Sequence, residues 1–269
     1  MGIKPSRGGK QVAKILHAAD AAARPALLAT PKARIGLIIP SSNRLAEPQF
    51  RHYLPDDIGV HVTRLRITGP WHRPLDEIGD AVREAAGCLA DSQCDVIVFN
   101  CTGGAMAGGA AAEARLLELI AEESGAIALS TGQAVVDALK ALGITSMVLI
   151  SPYVQATNDA EKIYLEGLGF RVVNDVALGL PGGTSYIEVS PGRWLDEARA
   201  AVSAEADGLF LSCTNTTQIE IIEQAEEITG LPIVNSNQAV MWRALRELAA
   251  KLGGSIAIRG PGRLFQTAS

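Results

Sequence analysis

The sequence predicts an α/β fold built from two similar halves, each containing a parallel sheet covered by helices. Hydrophobic residues make up 48% of the 269 residues but aromatic residues only 4%. Aliphatic side chains and alanine must therefore form the core, which is typical of parallel sheets packed between helices. Short apolar runs also alternate with segments of helical periodicity. Finally, the motifs that end these runs occur twice, in the same order.

The first half begins with an apolar run at residues 34–40, which ends at Pro40 and is followed by Ser41-Ser42-Asn43. A run without polar alternation is typical of a strand buried on both faces. The elements predicted after it are a helix at 47–53, a strand at 60–67, a helix at 75–90, a strand at 95–100, a further helix, a strand at 126–130 and a helix at 133–142.

The second half repeats this order. The predicted elements are a strand at 146–150, a helix at 158–168, a strand at 170–174, a helix at 191–204, a strand at 208–212 and a further helix, which is followed by residues 231–240. Cys101-Thr102 and Cys213-Thr214 are 112 residues apart (213 − 101), as are Ile35 and Met147 (147 − 35). Residues 130–135 also correspond to residues 235–240. These matches indicate a duplicated α/β unit.

We therefore divide the chain into an N-terminal arm at residues 1–33, a first half at 34–145 and a second half at 146–269. Residues 240–269 could cross back to the first half. The arm contains an Ala-rich segment with helical character. An arm of this kind, together with the Ala-rich helices, is compatible with a homo-oligomer.

Charge and hydropathy argue against several classes of function. The net charge is −5 and no basic run occurs, which argues against nucleic acid as a partner. No stretch reaches the ~20 apolar residues of a membrane helix, and no apolar stretch follows the N-terminal basic residues as in a secretory signal. We therefore expect a cytoplasmic protein. The four cysteines lack the paired spacing of a zinc site, so we expect free thiols and no metal.

Two of the cysteines stand where a ligand site is expected. In parallel α/β sheets the ligand crevice lies beyond the carboxyl ends of the strands, and Cys101 and Cys213 follow equivalent ends. A helix N-terminus at such a place binds a carboxylate and lowers the pKa of a thiol. Cys88 and Cys94, in or beside a predicted helix, are interpreted as small buried side chains. The repeated Cys-Thr pair favours a thiol/thiolate pair over simple packing.

Other strand ends carry polar residues that allow two interpretations. Asn43 is either a helix cap or a ligand for a substrate, and Tyr153 is either a wall residue of a cleft or a hydrogen-bonding group. No Gly-rich phosphate fingerprint follows the first strand, where Ser41-Ser42-Asn43 stands instead. This argues against a nucleotide site.

These residues resemble the aspartate/glutamate racemase superfamily, and within it the branch of maleate cis-trans isomerases and arylmalonate decarboxylases. The resemblance extends from Arg34 to Phe265 and includes residues 36–43, both cysteine strands, Ser151-Pro152-Tyr153 and residues 262–265. It implies two Rossmann-like halves with the active site between them. It also implies a small carboxylic acid as substrate and no cofactor.

The resemblance further implies a role for each site residue. Cys101 would be the nucleophile that adds to a double bond, and Cys213 would be the acid/base that transfers protons. The residues implied to bind the substrate are Asn43, Tyr153, Thr102, Thr214, Ser41 and Gly103.

The identity of residue 101 bears on the reaction. Arylmalonate decarboxylases have glycine at this position, so Cys101 favours an isomerase or a racemase. Maleate isomerases are expected to supply a further asparagine in the loop at residues 178–185, which contains none. Thr184, Ser185 or backbone N–H groups would then take its place. We expect a maleate-type isomerase first, and an amino-acid racemase or arylmalonate-type decarboxylase second. A non-catalytic protein that binds a small acid is the alternative from a different class.

Overall fold

The computed structural model describes residues 31–67, 73–254, 256–257 and 259–267. Residues 1–30 of the predicted N-terminal arm lie outside the described residues, and the first strand already begins at Ala33. Within the described ranges, no helix combines the length and the apolar character needed to cross a lipid bilayer.

The described chain forms two four-stranded sheets with equivalent strand orders, β2-β1-β3-β4 and β6-β5-β7-β8. All neighbouring strands pair in parallel. The strands are β1 Ala33–Pro40, β2 Ile58–Leu65, β3 Val96–Phe99, β4 Ile127–Ser130, β5 Ser146–Ser151, β6 Arg171–Ala177, β7 Gly208–Leu211 and β8 Ile233–Asn235. The prediction of an α/β fold with two similar parallel-sheet halves is confirmed, and strands β1 to β7 each begin within two residues of their predicted start.

Helices cover and connect the sheets. They are α1 Ala46–Tyr53, α2 Gly79–Asp91, α3 Thr102–Ala107, α4 Gly109–Ser124, α5 Thr131–Ala141, α6 Gln155–Gly167, α7 Thr184–Ile187, α8 Pro191–Ala201, α9 Ile222–Thr229 and α10 Ser236–Lys251. The helix predicted at 75–90 is interrupted, because a 3-10 turn at Leu75–Glu77 precedes α2.

The helices that follow β4 and β8 begin with equivalent caps. At α5, Ser130 Oγ accepts a hydrogen bond of 3.0 Å from the backbone N–H of Gln133. At α10, Asn235 Oδ1 accepts from the N–H of Gln238, and Gln238 Oε1 accepts from the N–H of Asn235, which completes a capping box. The correspondence between residues 130–135 and 235–240 therefore marks two equivalent strand-to-helix turns.

The two halves share a core, and a second apolar cluster, which includes Ile38 and Phe99, lies within the first half. A single cluster of buried apolar side chains contains Ile35 and Val98 of the first sheet together with Leu149 and Leu209 of the second. Helices α5 and α10 pack on each other, and α10 also contacts β3 and β4. The C-terminal helix therefore lies partly over the first sheet, and the strand ends of both sheets face the junction between the halves.

Candidate active site

A cavity of about 650 Å³ lies where the strand ends of the two halves meet. Residues that follow β1, β3, β5 and β7 all line it, as expected if ligands bind beyond the carboxyl ends of parallel strands. Its volume lies in the range of small-molecule sites. The polar residues in its wall include Ser42, Asn43, Cys101, Tyr153, Cys213 and Asn215.

Cys101 lies at the N-cap of α3 with extended backbone, at φ −149°. Its side chain is partly buried, and desolvation raises the pKa of its thiol to about 11, while the backbone N–H of Gly104 opposes this rise. A Cβ atom at position 104 would come within 3.0 Å of Cys101 Sγ. Glycine at position 104 therefore leaves room for the sulfur beside this N–H donor.

Cys213 follows β7 with a backbone conformation unusual for a residue other than glycine, at φ +114°. Its side chain is buried, and desolvation raises the pKa of its thiol to about 12. Hydrogen bonds from the Tyr153 side chain and from the backbone N–H of Asn215 lower this pKa, the latter over 3.3 Å. The sulfur of Cys213 is thus buried next to two hydrogen-bond donors. The sequence predicted that a strand-to-helix turn would lower the pKa of both thiols, but desolvation outweighs the nearby donors and raises both.

Ser236 joins the two cysteine-bearing segments. Its Oγ accepts a hydrogen bond of 2.9 Å from the Thr102 hydroxyl and one of 3.1 Å from the backbone N–H of Cys213. Thr102 directly follows Cys101, so one buried hydroxyl lies between both cysteine positions. The sequence repeat aligns Ser236 with Thr131, but it did not predict that Ser236 lies between the two cysteine-bearing segments.

Two tyrosines stand on the same side of the cavity. Tyr153 is buried, and its pKa is raised well above the usual range, first by desolvation and then by the negative charge that ionised Cys213 and Glu161 would carry. Its ring makes an edge-to-face contact with Tyr186, with centroids 5.6 Å apart, and desolvation also raises the pKa of Tyr186. Both phenols therefore remain protonated donors at neutral pH. The sequence did not predict Tyr186 as a site residue, because Tyr186 lies just beyond the loop at 178–185 that was expected to supply polar groups.

Asn43 lies in the turn that leads into α1 and also borders the cavity. Its Oδ1 accepts hydrogen bonds from the backbone N–H groups of Leu45 and Ala46, which fixes the turn into α1. Its Nδ2 donates to Thr214 Oγ1 over 3.0 Å. Asn43 therefore closes a helix start, ties the first half to the second cysteine segment, and still contributes to the cavity wall.

The structure brings most of the predicted site residues together. Cys101, Cys213, Asn43, Tyr153 and Gly103 line the cavity. The side chains of Thr102 and Thr214 are buried behind it and hydrogen-bond to Ser236 and Asn43. Ser41 is exposed and is not part of the wall, since the turn after β1 places Ser42 there instead.

The loop at 178–185 contributes apolar wall and backbone rather than side-chain donors. Leu180, Pro181, Gly182 and Gly183 line the cavity. The hydroxyl of Thr184 accepts a hydrogen bond from Arg44, and that of Ser185 donates to the carbonyl of Gly182. Neither hydroxyl faces the cavity as the sequence suggested.

The remaining wall is mostly apolar. It includes Ile67, Leu75, Ile78 and Ala107, and Arg73 is the one charged residue among the described residues that line the cavity. The part of the chain that the structure describes holds no cluster of three or more histidine, cysteine, aspartate or glutamate side chains able to bind a metal ion. The polar chemistry of the site is therefore concentrated around the two thiols and the two tyrosines.

One carboxyl group close to the thiols gave no signal in the sequence. Glu161 on α6 is fully buried, and desolvation raises its pKa to about 8. In the sequence it stands between Ala160 and Lys162 and reads as an ordinary helix charge. The place of Glu161 near the site follows only from the fold, because α6 packs against the cavity.

Comparison with known proteins identifies the family of this chain. Residues 35–265 match the family described as arylmalonate decarboxylase. The chain is 28% identical to the maleate isomerase of Nocardia farcinica, over 87% of this chain and 95% of that protein. It is 27% identical to the arylmalonate decarboxylase of Bordetella bronchiseptica, over 86% of this chain and 95% of that protein.

A solved structure of Nocardia farcinica maleate cis-trans isomerase is similar throughout. This cysteine-to-serine mutant, with a covalently bound succinylcysteine intermediate, superposes with a TM-score of 0.78 at 26% identity, covering 88% of this chain and 99% of that one. The match to the family extends over nearly the whole of both halves and includes both cysteine-bearing strand ends. The chain therefore belongs to the arylmalonate decarboxylase family.

Proposed function

We propose that this protein is a cofactor-independent cis–trans isomerase of a small unsaturated dicarboxylic acid, with a reaction of the maleate isomerase type. The observation that carries the proposal is the presence of two thiols, Cys101 and Cys213, on one cavity between the halves. A family member that only binds an acid would need hydrogen-bond donors but no pair of thiols. Several relatives are maleate isomerases, which supports the choice of reaction.

The two sulfurs would divide the chemistry between them. The thiolate of Cys101 forms a C–S bond with one alkene carbon, and the π electron pair moves to the neighbouring carbon beside a carboxylate. The thiol of Cys213 gives its proton to that carbon. After rotation about the new single bond, the Cys213 thiolate removes a proton from the same carbon. The double bond reforms as the C–S bond breaks, which gives the trans acid and restores both sulfurs.

Negative charge that develops beside the carboxylate requires preorganised donors. Tyr153 and Tyr186 supply phenol groups that stay protonated, because their pKa values are raised. We propose that Tyr153, Asn43 and the backbone at Gly103 contact substrate carboxylates. Thr102 and Thr214 would act from behind the wall by fixing the cysteine segments.

The assay that tests the proposal is incubation of the enzyme with maleate in D₂O, followed by proton NMR. We expect fumarate to form, and we expect Cys101→Ser and Cys213→Ser each to lower the rate by a factor on the order of 10³ or more, as for other groups that act as a unit. Cys88→Ser is the matched control, because Cys88 on α2 is an exposed free thiol and not the buried side chain that the sequence predicted. Full turnover in either active-site variant would exclude the two-cysteine mechanism.

The apolar wall supports a second candidate, a racemase or decarboxylase that acts on an acid with an apolar substituent. A four-carbon diacid fills only part of a cavity of about 650 Å³, and the loop at 178–185 offers no asparagine for a second carboxylate. Unchanged maleate in the same assay would favour this candidate if deuterium then entered the α position of an amino acid, or if an arylmalonate lost CO₂.

A further inference from the structure

Glu161 occupies an unusual position for an ionisable side chain. It is 0% exposed, and neither carboxyl oxygen has a hydrogen-bond partner among the described residues. The Ser212 hydroxyl, equally buried, approaches closely enough to lower the pKa of Glu161 without the geometry of a hydrogen bond. A buried carboxylate without donors is strongly disfavoured, so the side chain is held as the neutral acid.

The helix that carries Glu161 forms one wall of the cavity. Thr157 and Ala160 of α6 line it, and Glu161 directly follows Ala160. Ser212, at the end of β7, directly precedes Cys213. The next residue on the helix, Lys162, is paired with Asp175 at 3.6 Å on the partly exposed side and provides no compensating charge for Glu161.

Helix α6 also packs against β6, whose Asp175 is paired with Lys162 and whose Arg171 is paired with Glu205. The groups that interact electrostatically with Glu161 include no cation. They are Cys101 before α3, Ser212 and Cys213 after β7, Tyr153 before α6 and Tyr186 on α7. An ionised Glu161 opposes ionisation of both thiols and both phenols, because like charges in a buried site repel. The cluster therefore tolerates one negative charge far better than two.

We propose that Glu161 is an electrostatic switch for the cysteine pair: as the neutral acid it permits a thiolate at Cys101, and when ionised it suppresses that thiolate. The inference deepens the proposed function, since it rests on Cys101 reacting as a thiolate. No covalent step is assigned to Glu161. Glu161 acts only through its own charge, which changes how readily the Cys101 thiol loses its proton.

The test is the pH profile of Cys101 alkylation by iodoacetamide, with the modified peptide followed by mass spectrometry, in the wild-type protein and in Glu161→Gln. Below about pH 7 both proteins carry a neutral side chain at position 161, so we expect their rates to agree. Above about pH 8, where Glu161 ionises, we expect Glu161→Gln to react roughly tenfold faster, from one unit charge at close range. The exposed Cys88 in each sample reports the intrinsic effect of pH on the reagent.

Glu113→Gln is the matched control. Glu113 is also a buried glutamate, but its oxygens accept hydrogen bonds of 2.5 Å from the Ser130 and Tyr164 hydroxyls. We expect its Cys101 profile to follow that of the wild type. Coincident profiles for wild type and Glu161→Gln at every pH would overturn the proposal, as would an equal shift in Glu113→Gln. Because alkylation needs no substrate, this result is independent of the maleate assay.

If Glu161→Gln does not fold, an infrared measurement on Glu113→Gln decides instead. We expect a band of a protonated carboxyl group at neutral pH that disappears with a midpoint near pH 8. The absence of such a band at neutral pH would show that Glu161 is already ionised there, and the proposal would be wrong.

Discussion

At the scale of single residues, Cys213 adopts an unfavourable backbone conformation, which determines where its sulfur lies. A φ of +114° in a residue other than glycine costs on the order of 1–3 kcal/mol, and such strain concentrates at functional sites. The strain is held in place by the bond from the N–H of Cys213 to Ser236 and by the bond from the Thr216 hydroxyl to the Cys213 carbonyl. Cys101, its partner in the repeat, has ordinary extended backbone.

Gly104 offers a test at this scale. In Gly104→Ala the new Cβ would lie 3.0 Å from Cys101 Sγ, so the sulfur must move by a few tenths of an ångström. We expect turnover, and Cys101 alkylation, to fall about tenfold or more, because small displacements of a reacting atom are costly. Alanine should meanwhile stabilise α3 by about 0.5–1 kcal/mol.

Activity and thermal unfolding measured on the same sample separate these two effects. Gly87→Ala on α2 is the control, because the nearest atom to its Cβ would be Glu123 Oε1 at an ordinary 3.5 Å. If Gly104→Ala were as active as Gly87→Ala, the sulfur would not need the space that glycine provides.

At the scale of elements, the strand-to-helix turns matter most, because each one places a site residue. Asn235 caps α10 and also donates from Nδ2 to the Leu211 carbonyl at the end of β7. It is 2% exposed, so its polar atoms cannot turn to water. The side chain therefore supports both the helix that carries Ser236 and the strand that leads to Cys213.

We expect Asn235→Ala to lower the free energy of unfolding by about 2–4 kcal/mol, from a lost cap and an unsatisfied buried carbonyl. Ser190→Ala is the control, since the Ser190 side chain caps α8 through one exposed bond to the N–H of Arg193; a loss of about 1 kcal/mol is expected there. Urea unfolding of both variants is the measurement. Equal losses would mean that the second bond of Asn235 adds nothing.

Most of the strands and helices could be predicted from the sequence, and the exceptions have physical reasons. Continuous apolar runs predicted the central strands β1, β3, β5 and β7, because both faces of each of these strands are covered. The edge strands β2 and β6 are only partly buried and contain polar residues. The break between α3 and α4 was not foreseen. It arises at Gly108, where a Cβ would come within 2.9 Å of the Leu75 side chain, and at Gly109, with φ +74°. That contact depends on a residue more than thirty positions away.

At the scale of the whole molecule, the halves are joined by buried hydrogen bonds between residues far apart in sequence. Asn100 Nδ2 donates to Asn237 over 3.2 Å, and Gln49 Nε2 donates to the Thr216 carbonyl over 2.8 Å. The repeat in the sequence indicated two halves and two equivalent cysteines. It could not indicate which side chains meet across the junction, so Ser236, Tyr186 and Glu161 appear only in the folded chain.

Glu161 also affects global stability. Desolvation raises its pKa from 4.5 to about 8 in the folded state, so an unfolded chain loses this proton at lower pH than the folded one. Below about pH 4.5 the Glu161 side chain is protonated in both the folded and the unfolded chain, so it does not change the free energy of unfolding. As the pH rises from about 4.5 to about 8, the free energy of unfolding falls. The difference between these limits amounts to a few kcal/mol, on the order of 1.4 kcal/mol for each pH unit.

We therefore expect the free energy of unfolding of Glu161→Gln to depend less on pH than that of the wild type between about pH 5 and pH 8. Urea unfolding at several pH values in this interval measures the difference between the two proteins, in which the other titrating groups cancel. Parallel curves would show that Glu161 has an ordinary pKa in the folded protein.

The hydroxyl of Ser236 has one more consequence. Because its oxygen accepts a hydrogen bond from the Thr102 side chain of the other half, the halves cannot swing apart on a hinge without breaking this bond and other buried bonds across the junction, such as that from Asn43 to Thr214. These buried bonds hold the two cysteine-bearing segments together. We expect substrates to enter and leave at the edge of the junction, past the Gly182-Gly183 segment, while the two halves stay in contact.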